Sequence, residues 1–573
     1  MTRVFPRIFT TFSFLVLLSF PLGTTRAATI TVTETTDAFN GSVCTLRNAI
    51  ESVNNGGDFG GCDFDETEVF GTNDTINLTA TEPYVLSLGE TTFGGENNNV
   101  TGDLDIHTRV RIIGLGSGQT TISGSGFPAD QEDRIIHIVE AEIIPEGTEP
   151  ATGVLLQGMT IRDGNTENSG SGEGGGVGAE FFQARVTLDD VTVTENNCSG
   201  DGGGISNDDE GFFILQNSRV TANTATSDGG AINNNSGSFM VVLNSTLDGN
   251  SAPDDGGAIQ NDGEMLIANS TISRNSCVEE GSPEIVISGT LSGDGGGIIN
   301  RGGLIMINST VSNNDAGFQG GGIFAESAAP AGGGSPFLLA LFNVTVAENE
   351  VLSAQGFGGG VCLDCAQVVP AGNGIAFNVI NTLIARNTAA NSPDCGGDFI
   401  SGGYNLIGDG TNCNGFNATG DQVGVADPGF GPLQPNGGPT ETHALLATSP
   451  AVDRANDVDG CQAPDVDQVL NLGGITIVDL TEDQRAFTRP IAVLDPSVPI
   501  CDIGAFEFQV ATPTPTPTAL PTPTPSPTPP ANVFLFGGAC SLHAMGGSSA
   551  GIGLMAFGLL AGMAGWRKRR GSD

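Results

Sequence analysis

Apolar and polar positions alternate along this chain in short runs, and the runs recur. The unit reads apolar-x-Asn-Ser/Val-Thr-Ile/Val-x-x-Asn, then a polar loop, then Gly-Gly-Gly/Ala-Ile/Val. It runs from Leu243 to Asn250 and returns at Asn269 to Asn275, Asn308 to Asn314, Asn343 to Asn349 and Asn381 to Asn387. The glycine part ends at Val177, Ile205, Ile232, Ile259, Ile298, Ile323 and Val361, at spacings of 28, 27, 27, 39, 25 and 38. The long spacings hold insertions, near residues 278–293 and near 326–338 or 351–357.

A period near 27, made of β-branched runs and turn residues, predicts a solenoid of strands rather than of helices. Each unit is one coil of about three short strands, and coils stack at roughly 4.8 Å. The expected fold is all-β, a right-handed parallel β-helix with inward columns of Val, Ile and Leu. Asn196, Asn223, Asn250, Asn275, Asn314, Asn349 and Asn387 share one place in the coil. Asn tolerates left-handed backbone, and stacked Asn amides bond in ladders, so these positions read as structural. The glycines give sharp bends or close backbone approach. The Asn-Ser-Thr sequons belong to the repeat. Coils start near Asp74-Thr75-Ile76, with further ones at 108–114 and 154–161. Open solenoid ends need caps. Leu46, Ile50 and Val53 fall on one helical face, which suits a short helix plugging the first coil.

Composition adds an address. Of 573 residues 86 are Gly, without the strict period of collagen. The net charge is −45, and the single lysine is Lys568. So acidic a surface excludes nucleic acid and repels anionic headgroups, but suits divalent cations. Residues 1–27 read as a secretory signal peptide: Arg3 and Arg7, an apolar run from Phe9 to Leu22, then Thr25-Arg26-Ala27. At the other end, residues 509–531 hold a Pro/Thr stalk, extended at roughly 3.1 Å per residue. Within 532–573, Gly537 to Ser541 precede an apolar span at 549–566 and the basic cluster Arg567-Lys568-Arg569-Arg570. That span is just long enough for a bilayer, with the basic end cytoplasmic.

There are 11 cysteines. Setting Cys540 aside leaves ten, which an exported protein can pair. Close spacing suggests Cys44–Cys62, Cys362–Cys365 and Cys395–Cys413, with Cys461–Cys501 further on. Cys198 and Cys277 remain. A zinc reading of Cys362 and Cys365 lacks two further ligands.

Cys44-Thr45-Leu46-Arg47-Asn48-Ala49-Ile50 resembles the N-terminal Cys-Ser-Leu-Arg-Glu-Ala signature of a family of bacterial surface β-helix proteins, with Thr for Ser and Asn for Glu. The same proteins' choice-of-anchor C-terminal end is similar to Asn436-Gly437-Gly438-Pro439-Thr440, Thr442-His443-Ala444-Leu445, Ser449-Pro450-Ala451-Val452-Asp453, Asp483-Gln484-Arg485 and Cys501 to Glu507. The resemblance implies the pectin-lyase-like fold, an N-terminal cap over 28–68, a β-helix over 69–430, a C-terminal cap module over 431–508 and interchangeable anchors. It implies no single activity. The tail resembles cysteine-containing sorting signals of bacterial surface proteins, with Cys540 as the sorting residue. The Gly-Gly-Ala-Ile units also resemble the passengers of chlamydial polymorphic outer-membrane proteins, which are adhesins.

Candidate chemistry is sparse. Glu173, Asp201, Asp228, Asp255 and Asp294 each precede a glycine turn, so stacking makes them a carboxylate column. Such a column fans into water or shares cations, and Ca²⁺ is the ion it would take. A β-helix polysaccharide lyase or hydrolase needs a base beside substrate, and without lysine an Arg must serve. Arg219, Arg274 and Arg386 lie on scattered coils. His443 reads as a structural histidine, and His107 and His137 show no ligand spacing. The leading expectation is a non-catalytic, surface-displayed solenoid for adhesion or contact with matrix, polysaccharide or a surface protein. Its further partners would be the bilayer and the export and sorting machinery. The alternative is a polysaccharide lyase or hydrolase.

Overall fold

The computed structural model describes residues 26–62, 68–70, 74–89, 98–139, 153–167, 172–180, 185–278, 293–326, 338–365, 376–456, 461, 481–491, 493 and 499–509. Residues 1–25 of the expected signal peptide (1–27), residues 510–531 of the stalk, Cys540 and the 549–566 span lie outside them, while Arg26–Ala27 pairs with Glu68–Val69. Among the described residues no helix is long and apolar enough to cross a membrane.

Among the described residues the chain is a parallel β-helix, mostly β with one short helix. One coil shows the plan. Ile205–Asn207 lies on the first face, Phe212–Gln216 on the second and Arg219–Thr221 on the third. Thr224–Ala225 follows, then the glycine turn into Ile232. The first face is an eleven-stranded sheet, and the short strands form a six-stranded one. Val177, Ile205, Ile232, Ile259, Ile298, Ile323 and Val361 pair in register up the first face. The second and third faces are joined by two long strands, Val154–Arg162 and Arg185–Thr194, which run through the corner.

Alternation explains the core. Phe213 and Leu215, Met240 and Val242, Met265 and Ile267 point inward and are fully buried. Their neighbours Ile214, Val241 and Leu266 face outward into a separate apolar cluster on the second face. Both candidate places for the second insertion carry one. Ala325 to Leu338 is ten residues longer than Asn300 to Gly303, and Val351 to Gly358 three longer than Ala316 to Gly320.

The Asn ladder runs inside one corner. Each Oδ1 from Asn223 to Asn387 accepts the backbone N–H and the side-chain amide of the ladder Asn one coil earlier. The ladder residues do not take the left-handed backbone that the sequence suggests for them. That conformation falls on the residue before, at Glu195, Ala222, Gly249, Arg274, Asn313, Glu348 and Arg386. It also falls on the other Asn column at Asn244, Asn269, Asn308, Asn343 and Asn381. Turning the chain just ahead of the ladder aims each amide inward, where only its stacked partners can satisfy it.

The first end is plugged as the pattern predicts. Helix α1, Leu46–Asn55, begins at Thr45, whose Oγ1 accepts from Asn48 N, and ends at Gly56 with φ 64°. Leu46, Ala49, Ile50 and Val53 join the main core. Strand pairing starts earlier than the repeat suggests, because Thr29–Val32 already pairs with Thr75–Leu78. At the far end the Phe399 and Phe416 rings meet at a tilt, and Cys395–Cys413 joins the same core.

The C-terminal module lies along the flank of the coils. Gln484, His443 and Ala505, which fall in the stretches singled out in the sequence, grip the third face together with Arg489. Gln484 Nε2 donates to Thr271 Oγ1 at 2.8 Å, and Thr310 Oγ1 donates to Gln484 Oε1 at 2.6 Å. His443 Nε2 meets Ser312 Oγ at 2.8 Å. Arg489 donates to Asn308 Oδ1, and Ala505 N to Thr345 Oγ1, each at 3.0 Å. The Thr of the repeat is thus an anchor point for the module.

Cys44–Cys62, Cys362–Cys365, Cys395–Cys413 and Cys461–Cys501 are bonded. Cys198 and Cys277 are buried and free. They share a column, but Ala225 and Ala252 lie between them. Three coil steps separate the pair by about 14 Å, well beyond disulfide reach.

Candidate functional site

The first face concentrates polar and titratable groups on its outer side. The middle residue of each three-residue strand points outward: Asp105, His137, Gly178, Ser206, Asn233 and Gln260, then the apolar Ile299, Phe324 and Cys362. One flank carries the predicted column Glu173, Asp201, Asp228, Asp255 and Asp294. The other carries Glu180, Asp208, Asp262, Arg301 and Glu326.

The column is in register, and most of it is tied by hydrogen bonds. Asp228 N donates to Asp201 Oδ1 at 3.0 Å, Asp255 N to Asp228 Oδ1 at 2.9 Å, and Asp294 N to Asp255 Oδ1 at 3.1 Å. Arg301 reaches across the strand to pair with Asp255, with Asp228 at 3.8 Å and with Glu326 at 2.9 Å. Backbone amides and one guanidinium therefore do part of what a cation would do. Repulsion persists. Burial, with Asp255 and Asp201 beside it, pushes Asp228 up to about 7. Burial and Asp255 push Asp294 up to about 7.

Glu173 stands apart from this ladder. Ser206 Oγ lies 3.2 Å from Glu173 Oε2 and 2.7 Å from Asp208 Oδ2. Burial and the neighbouring Asp208 raise the Glu173 carboxyl to about 8. A carboxyl that keeps its proton near neutrality beside a second carboxyl can act as an acid.

The densest group was not legible in the sequence. Asp105 and His137 occupy facing positions on adjacent strands, Leu104–Ile106 and Ile136–Ile138. His137 Nδ1 lies 3.1 Å from Asp105 Oδ1 and 3.9 Å from Asp103 Oδ2. Arg134 Nε is 3.2 Å from Asp103 Oδ2, and its NH1 is 2.5 Å from Glu180 Oε1. Arg134 lies over Gly178, where any Cβ would strike the guanidinium. Burial, Asp133 and Asp105 hold Asp103 well above the usual carboxylate range, against the pull of Arg134 and Arg47. Burial alone would raise Glu180, but His137 and Arg134 overcome it and bring it to about 2. Asp103, Asp105 and His137 are all buried and could hold a metal ion. The cross-coil separation of 32 residues between Asp105 and His137 exceeds the 27 of the regular coils. No local motif marks it.

The other predicted residues lie elsewhere. Arg274 bridges Asp248 and Glu441 at 2.7 Å each, and Arg386 sits over the Phe430 ring. Both dock the C-terminal module. Arg219 is exposed at the start of its strand on the third face. His443 is buried, with Nδ1 at 2.8 Å from Gly431 O. His107 contributes its backbone N–H to Asn54 Oδ1. The bonding of Cys362 to Cys365 removes them as metal ligands.

The sequence matches no family model and no curated protein. Among solved structures, the chain is similar to the A-module of a mannuronan C-5 epimerase from Azotobacter vinelandii. The identity is 17% and the TM-score 0.28, over 61% of this chain and 88% of that one. So slight a likeness carries nothing about activity, and the β-helix stands on its own strand pairing.

Proposed function

We propose that this chain is an exported β-helix, anchored at the cell surface by its C-terminal tail, whose outer first face binds extracellular polysaccharide without transforming it. The observation that carries the reading is the register of the flanking rows. Asp201, Asp228, Asp255 and Asp294 repeat along the stack, each bonded to the next. A surface that repeats at the strand spacing suits a ligand that itself repeats. The carboxylates accept from sugar hydroxyls, so neutral chains fit directly, whereas acidic chains need divalent cations between like charges. The leader, the Pro/Thr stalk and the basic-ended span support export, sorting and a bilayer partner.

The test is binding of the full-length chain to immobilised neutral and acidic polysaccharides, with and without Ca²⁺. Retention on a neutral polymer, weakened about tenfold in Asp228→Asn, supports the reading. No retention on either class, with or without Ca²⁺, overturns it.

One observation favours a second reading, a polysaccharide lyase or hydrolase. Glu173, at about 8, and Asp208 form an acid pair at one end of the same face. Release of unsaturated or reducing ends from a polysaccharide, lost in Glu173→Gln, would favour catalysis.

A further inference from the structure

We propose that Asp103, Asp105 and His137 hold one divalent ion of the Zn²⁺ class, which fastens the first coils to the N-terminal cap. The ligand atoms lie within 4.8 Å of one another. Two carboxylates and an imidazole form a mixed oxygen–nitrogen set. Zn²⁺ and its neighbours accept such a set, whereas Ca²⁺ and Mg²⁺ favour oxygen alone. Asp105 and His137 stand on paired strands of a sheet, so their separation is fixed before any ion arrives.

A second observation points to a ligand. Asp103 is 3% exposed, and its Oδ1 has no hydrogen-bond partner among the described residues. A buried carboxylate oxygen left so is costly unless something else neutralises it. The surroundings hold four carboxylates, Asp103, Asp105, Asp133 and Glu180, against two guanidiniums, those of Arg134 and Arg47. The nearby Arg47 is paired with Asp37.

The groups behind the ligands are placed as a metal site requires. His137 Nε2 lies 3.5 Å from Glu180 Oε2, an ion-pair contact and not a hydrogen bond, and Arg134 holds Glu180 in turn. That leaves Nδ1 toward Asp103 and Asp105. Asp105 Oδ2 accepts Asn99 N at 2.8 Å, which orients its other oxygen. Such partners set the tautomer and aim of metal ligands. Helix α1 grips the same spot: Arg47 NH1 donates to Asp103 O at 2.7 Å and Asn54 Nδ2 to Asp105 O at 2.8 Å.

The experiment is calorimetric titration of the chelator-stripped full-length chain with ZnCl₂. One equivalent should bind, at least tenfold more weakly in His137→Gln, and excess Ca²⁺ should not displace it. No stoichiometric uptake, or uptake unchanged in His137→Gln, overturns the proposal. Should that variant fail to fold, Co²⁺ loaded into the wild-type chain decides by X-ray absorption. One imidazole nitrogen on Co²⁺ supports the site, and an all-oxygen shell overturns it. Neither outcome depends on whether the chain binds polysaccharide.

Discussion

Asn387 donates its backbone N–H and its side-chain amide to a single oxygen, Asp394 Oδ1, at 2.9 Å each. With that contact the Asn ladder ends on a carboxylate, which needs no partner beyond it because it has nothing left to donate. The ladder therefore has a direction, each coil donating to the next.

Removing a rung should then cost more than a surface change. In Asn250→Ala, the backbone N–H and amide of Asn223 lose their shared acceptor in a dry corner. The expected loss is about 1–3 kcal/mol for each orphaned group. Urea unfolding measures it. A change within the range of ordinary surface substitutions would show that the ladder contributes nothing to stability.

The pH dependence follows from the crowded first face. Glu173 titrates near 8 and Asp228 and Asp294 near 7 when folded, against ordinary values of 4.5 and 3.8. Between those limits the folded state holds more protons, so stability falls as pH rises. That contribution is fully present below about 4 and is lost as pH rises through about 7 and then about 8. Burial lowers His443, which acts the other way, but only below its ordinary 6.5. The urea midpoint should drop from pH 6.5 to 8.5, and less so in Asp228→Asn. A midpoint that rises over that interval would contradict the assignment.

The repeat made the coil legible because each unit spells out one turn. Ile232, Asn250 and Gly256 announce a first-face strand, a ladder corner and a bend. Asp105 and His137 escaped because the early coils lack the Gly-Gly punctuation and their lengths vary. Neighbours across a stack are invisible without a fixed period. The flank position of the C-terminal module escaped for another reason. Thr271, Thr310 and Thr345 are ordinary repeat positions, and nothing local says that Gln484 and Ala505 will cover them. Cys198 and Cys277 looked like a pair by elimination, yet counting coils between Ala225 and Ala252 separates them.

That separation predicts the thiol chemistry. The body should contain four disulfides and two thiols. Burial pushes both thiols up, Cys277 further because the acid column stands beside it. A buried, protonated thiol is a poor nucleophile. Iodoacetamide should leave Cys198 and Cys277 unlabelled in the native chain and label both in denaturant, read by peptide mass. A bridged Cys198–Cys277 peptide would contradict the stacking order.

Arg489 is the pin of the C-terminal module. It is fully buried, pairs with Glu507 Oε2 at 3.1 Å, donates to Asp502 O and Gly504 O, and reaches Asn308 on the coil. Arg489→Met keeps the bulk but strips every donor. Glu507 is then left buried without its cation, a loss of about 3–5 kcal/mol. Because the lost contacts join module to coil, the damage should appear first as detachment. Limited proteolysis should cut within residues 431–508 while the Asn ladder coils stay protected from hydrogen exchange. If module and coils instead unfold together at one denaturant concentration, the two are a single cooperative unit and the pin serves both.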